Sequence, residues 1–551
     1  MARSSAFAAL ARLAREHLVA DEDRVTPERV RDERAELLTR GAFAKRALIA
    51  SGGALLLPGL QACSHAVPSR ERVAIVGAGI AGLTAALTLQ DANVAATVYE
   101  SSNRIGGRMH SEMQYWNDGQ HTEWCGAMID TTHATIHALA RRFKLPLLDT
   151  YAAMQPGARD TTYLTGKYYP MTQADRDFAP VYKILRKQLE QTGRQPTYDK
   201  ASPAARMFDR MSMRQWIASY VPGGAGSMMG RLIDEAYRNE FGLETAQLSA
   251  VNLIVMLGAQ NHYERDGKMN VLGYSDQRYV MANGSQSIPL AIAKTLPAGS
   301  IKMRHRLTTI RTRPDGAIEL TFDTPQGPLK QVADRAIIAI PFIVLRGLDY
   351  SGAGFDARKV RAIEQLGYGV HTKIHVQFDR RAWLGRGKWP GLTDGQVWTD
   401  LPFQSSIDFS LGQNGKSGLI ERFTGAGPAM RGTPETPYAY SNRSAIVREQ
   451  THELLGMLDE IFPGVSRAYN GKATFGNAQA DPNILASYSA WKVGQCTTIA
   501  GYERVRQGRI HFAGEHCSVE NQGFMEGGAE SGVAAAKEIL ADYAVRRNAA
   551  G

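Results

Sequence analysis

Apolar positions along the chain change their period in blocks, and the blocks predict the elements. Val73-Ala74-Ile75-Val76 is a continuous apolar run that reads as a buried strand, followed by a glycine turn and a helix that begins with Ile80. Ala95-Ala96-Thr97-Val98-Tyr99-Glu100 reads as a second strand. Ile337-Ile338-Ala339-Ile340 is apolar enough for a buried parallel strand, and residues 318–322 form another. Between these blocks the period lengthens. Ile136, Leu139, Ala140 and Phe143, then Trp216, Ile217, Leu232, Ile233 and Ala236, recur at helical spacing and predict a mainly helical stretch over residues 131–260. Residues 370–379 and 405–424 read as strands of a further domain, and no internal repeat is present.

The turn after the first strand has chemical content. Gly77, Gly79 and Gly82 fall in the G-x-G-x-x-G spacing of a dinucleotide-binding βαβ unit. Gly77 permits the sharp turn, Gly79 lets backbone approach a pyrophosphate, and Gly82 lets helix pack on strand. The free amides at the helix start face the phosphates. Glu100, about twenty residues on, ends the second strand where a ribose hydroxyl would sit.

Which dinucleotide is decided downstream. Arg104-Ile105-Gly106-Gly107-Arg108 follows the acid, and Ala513-Gly514-Glu515 and Gly523-Phe524-Met525-Glu526-Gly527-Gly528 lie near the other end. In these blocks the chain resembles the flavin amine oxidase family, over roughly residues 72–540. The resemblance implies an α/β fold: a discontinuous Rossmann-like FAD-binding domain (71–130, 278–345 and 480–545), a mainly helical subdomain (131–277) and a mixed-sheet substrate domain (346–479). It implies FAD contacts from Gly77, Gly79, Ala81, Gly82, Glu100, Arg104, Gly106, Gly107, Arg108, Ala127, Met128, Leu307, Gly514, Glu515, Gly523, Phe524 and Met525.

The same resemblance bears on the flavin's surroundings. Residues 488–497 are similar to the family's loop along the flavin, with Lys492-Val493 where two prolines are usual. Monoamine oxidases link a cysteine of this loop to FAD; Ala486 falls there, which implies non-covalent flavin and a structural Cys496. The two tyrosines that frame the amine in those enzymes match Ser487 and Phe524, so Trp491 is the expected replacement wall and Trp491 and Phe524 the residues over the reacting carbon. The family's flavin-facing lysine falls at Asp349, with Arg346 nearby, and the arginine clamp of some L-amino acid oxidases falls at Ile129. The pattern around Ile129-Asp130-Thr131-Thr132-His133 looks most like bacterial L-amino acid oxidases. The implied reaction is oxidative deamination of L-amino acids to 2-oxo acids, with dioxygen as acceptor and ammonia and hydrogen peroxide as products; a monoamine or polyamine oxidase of the same fold is the alternative. The carboxylate anchor would then be an arginine of the helical or substrate domain. His371 and His516 are read as structural.

Composition narrows the partners. At 44% hydrophobic and 21% charged residues the chain can bury a large globular core. The net charge is +10, but the arginines are scattered without interleaved aromatics, so a solvated basic surface is expected and no nucleic-acid partner. Such a surface would draw anionic substrates. Cys63, Cys125, Cys496 and Cys517 form no C-x-x-C pair and no metal-ligand spacing, so no metal is expected. H-E-x-x-H, phosphate-loop and G-x-S-x-G motifs are absent, which argues against zinc hydrolases, NTPases and serine hydrolases. A homo-oligomer stays open.

The first seventy residues carry a separate signal. Phe7, Leu10, Leu13 and Leu18 predict an amphipathic helix. Thr39-Arg40-Gly41-Ala42-Phe43-Ala44-Lys45, the apolar run 47–57 and Cys63 look like a twin-arginine export signal with its second arginine replaced by Gly41. The run is too short and too broken by Gly52, Gly53 and Pro58 to span a membrane stably. Two readings stand: export to the periplasm, or a retained helical arm on a cytoplasmic enzyme.

Overall fold

The computed structural model describes residues 71–259, 276–432, 434 and 436–550. The amphipathic helix, the export-like signal and Cys63 lie outside the described residues.

A five-stranded parallel sheet forms the first layer. Its strands are β1 (Val73–Val76), β2 (Ala96–Glu100), β3 (Ile301–Met303), β4 (Arg335–Ile338) and β5 (Ile510–Phe512), in the order β5-β4-β1-β2-β3. β1 is buried throughout and in register with its neighbours, Val73 opposite Ala96 on one side and Arg335 on the other. The sheet is therefore assembled from three distant pieces of chain. Helix α1 (Ile80–Asp91) is apolar nearly all round because it is covered on two sides, by the sheet and by the terminal helix α2 (Met525–Ala550). α1 and α2 touch backbone to backbone. A Cβ on Gly532 would lie 2.1 Å from the Ala81 carbonyl oxygen, and the Thr84 hydroxyl donates to Ala529 O at 3.0 Å.

A four-stranded sheet flanks this layer: Gly327–Ala333, Ile318–Thr324, Arg306–Thr312 and Asp349–Gly352. The strand read at 318–322 belongs here, and the sheet extends past residue 345 because Asp349–Gly352 pairs parallel to Arg306–Thr312.

The second large layer is an eight-stranded mixed sheet. At its centre His371–Phe378 lies between Tyr469–Gly476 and Gly418–Gly425. One face of His371–Phe378 carries Ile374, Val376 and Phe378, which pack with Val447, Leu454 and Leu458 of helix Ala445–Ile461. The other face carries His371, Lys373, His375 and Gln377, all buried. Toward the far side of the sheet Ala158–Leu164 runs parallel to Leu392–Thr399, and the two-residue strand Lys167–Tyr168 forms the edge. Ala158–Leu164 lies inside the stretch read as helical; its Thr-rich, β-branched sequence fits a pleated surface, and the apolar helical pattern on both sides masked it.

The helices Met171–Thr192, Pro203–Asp209, Met213–Tyr220, Met228–Phe241 and Ala250–Gly258 form the remaining layer, while helix Ala134–Arg142 packs with α1 and α2 beside the parallel sheet. Four of the layer's starts are fixed by sequence: Ser202, Ser212, Ser227 and Ser249 each accept a backbone N–H at the N-cap, and Ser212 with Gln215 completes a capping box. Among the described residues no helix is long and apolar enough to cross a membrane.

Candidate active site

A cleft of about 1550 Å³, open mouth included, runs from the carboxyl ends of the parallel strands to the polar face of His371–Phe378. Val76, Glu100, Ala339 and Gly514 line it, just beyond or at the ends of four parallel strands, where open α/β sheets bind ligands.

At this end the wall is backbone. Gly77 has φ +105°, and a Cβ there would lie 2.7 Å from Ala339 O. A Cβ on Gly82 would lie 2.0 Å from Gly77 O, whereas one on Gly79 would meet nothing within 4 Å. Gly82 thus holds α1 against the turn, and Gly79 leaves backbone bare toward the cleft. The second glycine turn interlocks with the first: Gly106 N donates to Ala78 O at 3.0 Å, and a Cβ on Gly107, at φ +56°, would lie 3.4 Å from Gly79 Cα. Glu100 ties the two, accepting from Ala78 N and Ser102 N, each at 2.8 Å. Arg104 Nη1 donates to Gly107 O at 2.7 Å.

Glu515 joins the ends of the chain. It accepts from Arg108 Nη1 at 2.9 Å, Ser489 Oγ at 2.8 Å and Gly523 N at 2.8 Å. Burial raises its carboxyl, but the Arg108 charge and these donors outweigh burial and hold it below the usual carboxylate range. Met525 opens α2 at the cleft, with Gly126 in van der Waals contact: a Cβ there would lie 3.1 Å from Met525 Cγ. The Glu526 carboxylate turns away and accepts from Thr135 N and Ile136 N, capping helix Ala134–Arg142.

The opposite end of the cleft is side chains. Trp124, Cys125, His371, Lys373, Phe423, Tyr488 and Phe524 line it. His371 is stacked between Phe423 and Tyr488, with ring centroids 4.6 and 4.8 Å away and planes within 16° and 17°. Tyr488 lies on bare Gly523, where a Cβ would come within 2.9 Å of its ring. Burial pushes the His371 pKa down to about 3, and its neutral ring sits with Nε2 2.7 Å from Asn239 O. Lys373 Nζ donates to Glu421 Oε2 at 3.0 Å.

These bare-glycine approaches and positive-φ turns fit a dinucleotide, and the side-chain-lined end of the cleft lies beyond them. The family model for flavin containing amine oxidoreductases matches residues 80–540. The chain belongs to this family. It is 26% identical over 503 residues to the putative L-amino-acid oxidase YobN of Bacillus subtilis (strain 168), covering 87% of this chain and 96% of that protein. It is 24% identical over 517 residues to polyamine oxidase 4 of Oryza sativa subsp. japonica, covering 88% and 91%. Its fold matches cyclohexylamine oxidase from Brevibacterium oxydans IH-35A with a TM-score of 0.70 at 20% identity, over 86% of this chain and 99% of that one. As a flavin amine oxidoreductase the chain carries a flavin cofactor.

Of the residues read as cofactor contacts, Gly77, Gly79, Ala81, Glu100, Arg104, Gly106, Gly107, Arg108, Leu307, Gly514, Glu515, Gly523, Phe524 and Met525 line the cleft of this flavin amine oxidoreductase. Gly82 sits beneath it. Ala127 and Met128 pack instead with Trp116, Val280, Phe409 and Leu419. Trp491 is elsewhere: its Nε1 donates to Glu503 at 2.9 Å, and its ring borders a separate cavity of about 520 Å³ with Val251, Val255 and Cys496. The aromatic wall it was expected to supply is Tyr488, one residue past Ser487, whose carbonyl accepts from Arg108. Asp349 is surface-exposed and paired with Arg311 at 2.6 Å, while Arg346 donates to the carbonyls of Ile363 and Leu366. The cleft-lining lysine is Lys373. His516 is buried against Phe342, 4.4 Å between centroids, and does not line the cleft. Lys373 escaped the sequence reading although its signal was present: His371, Lys373, His375 and Gln377 alternate with Thr372, Ile374, Val376 and Phe378 along one strand.

Proposed function

We propose that this flavin amine oxidoreductase catalyses FAD-dependent oxidative deamination of L-α-amino acids to 2-oxo acids, ammonia and hydrogen peroxide. The observation that carries the substrate class is the charge of the cleft. Its two lining carboxylates, Glu100 and Glu515, sit at the glycine end, and among the described residues the charged side chain lining the aromatic end is Lys373. A diamine or polyamine would bring a second ammonium to a wall with no carboxylate. An amino acid would bring a carboxylate toward a cation. Lys373, on the strand beside the rings, replaces the arginine anchor expected from sequence.

Gly77, Gly79, Gly106, Gly107 and Arg108 would hold the pyrophosphate, Glu100 the ribose, and the first amides of α2 the flavin's pyrimidine edge. FAD, when bound, would supply the two-electron acceptor for the substrate's Cα–H bond. The chain's part is placement: Tyr488, Phe423 and Phe524 wall the side chain, and Lys373 faces the carboxylate and the reacting carbon. Held within about 3.5 Å of its acceptor, the carbon is in a near-attack pose. The flavin is non-covalent in this reading. Ala486 does not line the cleft, and Cys125, the cysteine that does, is kept a thiol because burial raises its pKa.

A peroxide assay across the proteinogenic L-amino acids, tyramine, putrescine and spermidine tests the reading. The expected result is the highest kcat/KM for an L-amino acid, with its decarboxylated analogue at least tenfold worse. Faster oxidation of putrescine or tyramine than of every amino acid would replace it with the amine oxidase reading, which the rice relative favours. FAD should leave with the supernatant on acid precipitation; flavin in the pellet would refute non-covalent binding.

A further inference from the structure

Lys373 does not stand alone behind the cleft. Glu421, on the neighbouring strand Gly418–Gly425, accepts two hydrogen bonds on one oxygen: from Lys373 Nζ at 3.0 Å and from His375 Nε2 at 2.8 Å. His375 Nδ1 lies 3.3 Å from Thr474 Oγ1. His375 is fully buried, and Lys373 and Glu421 are about 95% buried. The three project from the face of the sheet turned to the cleft, opposite an apolar face. Buried ion pairs seldom raise stability over apolar residues of the same volume, so stability alone does not account for this row.

We propose that Glu421 and His375 form a positioning dyad for Lys373, holding its ammonium charged and aimed into the cleft and thereby setting the pH range of turnover. The surroundings leave Glu421 as the counter-charge. Glu123 also faces Lys373, but burial raises its carboxyl to about 7, and Ser111 and Ser285 already occupy its oxygens. Cys125 is a neutral thiol, and His371 and His375 are neutral because burial lowers both. Glu421 is the group held ionised: burial raises it, yet the Lys373 charge and the His375 hydrogen bond outweigh burial and bring it below the ordinary value. Lys373 has three donors and gives one to Glu421, which leaves the others for the cleft.

The inference rests on the proposed oxidase reading for the choice of assay substrate and on nothing else in it. The holoenzyme is assayed as kcat/KM against pH, using whichever amino acid or amine the wild type oxidises fastest, so failure of the amino acid reading leaves this test standing. Glu421→Gln should keep its flavin and circular dichroism while the alkaline limb moves at least one unit to lower pH, because an amide cannot support the ammonium as a carboxylate does. A second readout needs no turnover: competitive acetylation by acetic anhydride, followed by peptide mass spectrometry, should find Lys373 reactive at a pH at least one unit lower in Glu421→Gln. His375→Leu removes the neutral donor to the carboxylate and should move the acid limb upward, whereas His375→Gln, which keeps a donor, should restore it. Coincident limbs and coincident acetylation profiles in Glu421→Gln and wild type would overturn the proposal. If Glu421→Gln does not retain flavin, an unmoved acid limb in His375→Leu overturns it equally.

Discussion

The two ends of the cleft are built from different material. At the glycine end the chain offers amides, bare Cα atoms and turns, and the side chains present are largely spent on the protein itself: Glu100 holds the first glycine turn, and Glu515 holds Arg108 and the Gly523 amide. At the aromatic end the backbone recedes into a sheet, and the surface is rings and the Lys373 cation, drawn from segments as far as 400 residues apart, Trp124, His371, Phe423, Tyr488 and Phe524 among them. A backbone-built wall has little freedom to vary, because Gly77 and Gly82 each answer a collision with backbone. A side-chain wall can exchange its rings while the sheet beneath it stays. The first should therefore fix the cofactor and the second the substrate.

Gly82→Val should separate them most sharply. The added carbon would begin 2.0 Å from the Gly77 carbonyl oxygen, so the turn cannot keep its shape. The expected result is a protein with under a tenth of wild-type flavin absorbance per chain. Full occupancy would show that the turn is not the cradle. Glu100→Ala comes next. Loss of a carboxylate that accepts from Ala78 and Ser102, and that would accept from ribose, removes hydrogen bonds to a charged group worth about 1.5–3 kcal/mol, a ten- to hundredfold rise in FAD Kd. Tyr488→Ala tests the other end. It should leave flavin content unchanged and raise KM about tenfold, from the lost face of a ring stacked 4.8 Å from His371. A Tyr488→Ala enzyme that loses its flavin would dissolve the distinction between the ends.

The same contrast explains what the sequence disclosed. The glycine blocks are contiguous, so strand, turn and helix could be read at 73–91 and the discontinuous sheet inferred from blocks at the two ends of the chain. The aromatic end depends on which face of a strand is turned inward, and on loop register to a single residue. Matching Ser487 to a cage position left Trp491 as the expected wall, whereas Tyr488, one residue past Ser487, is the ring that lines the cleft. Counting forward from Pro341 reached Asp349, which lies on the edge of a different sheet, while the lysine that lines the cleft, Lys373, stands in an alternating strand farther on. Ala158–Leu164 was hidden for a related reason, since its longer pairing is with Leu392–Thr399, more than two hundred residues away, and its local partner Lys167–Tyr168 is only two residues long.

Trp491 offers the smallest effect and the finest test, because it was expected at the aromatic end and belongs to neither end. Its indole donates to Glu503, a carboxyl 1% exposed that burial raises to about 7. Lys359 Nζ donates to the Glu503 carbonyl at 2.6 Å and is itself pushed down to about 8 by burial. A carboxyl whose folded value lies above its unfolded one contributes stability that is fully present below the unfolded value, near pH 4.5, and is lost as pH rises through about 7. That contribution should be lost between pH 5 and pH 8, while buried histidines such as His371 and His516, lowered to about 3 by burial, act in the opposite direction. Glu123 and Asp394, also raised to about 7 by burial, act in the same direction as Glu503, so the comparison must be made between variants rather than across pH alone. Glu503→Gln keeps an acceptor for the indole and cannot ionise, so its Tm relative to wild type should be higher at pH 8 than at pH 5, by roughly 2 °C. Flavin content and KM should match wild type at every pH. A changed KM in Glu503→Gln would return Trp491 to the substrate wall, and an identical Tm slope would show that Glu503 is already ionised at neutral pH in the folded protein.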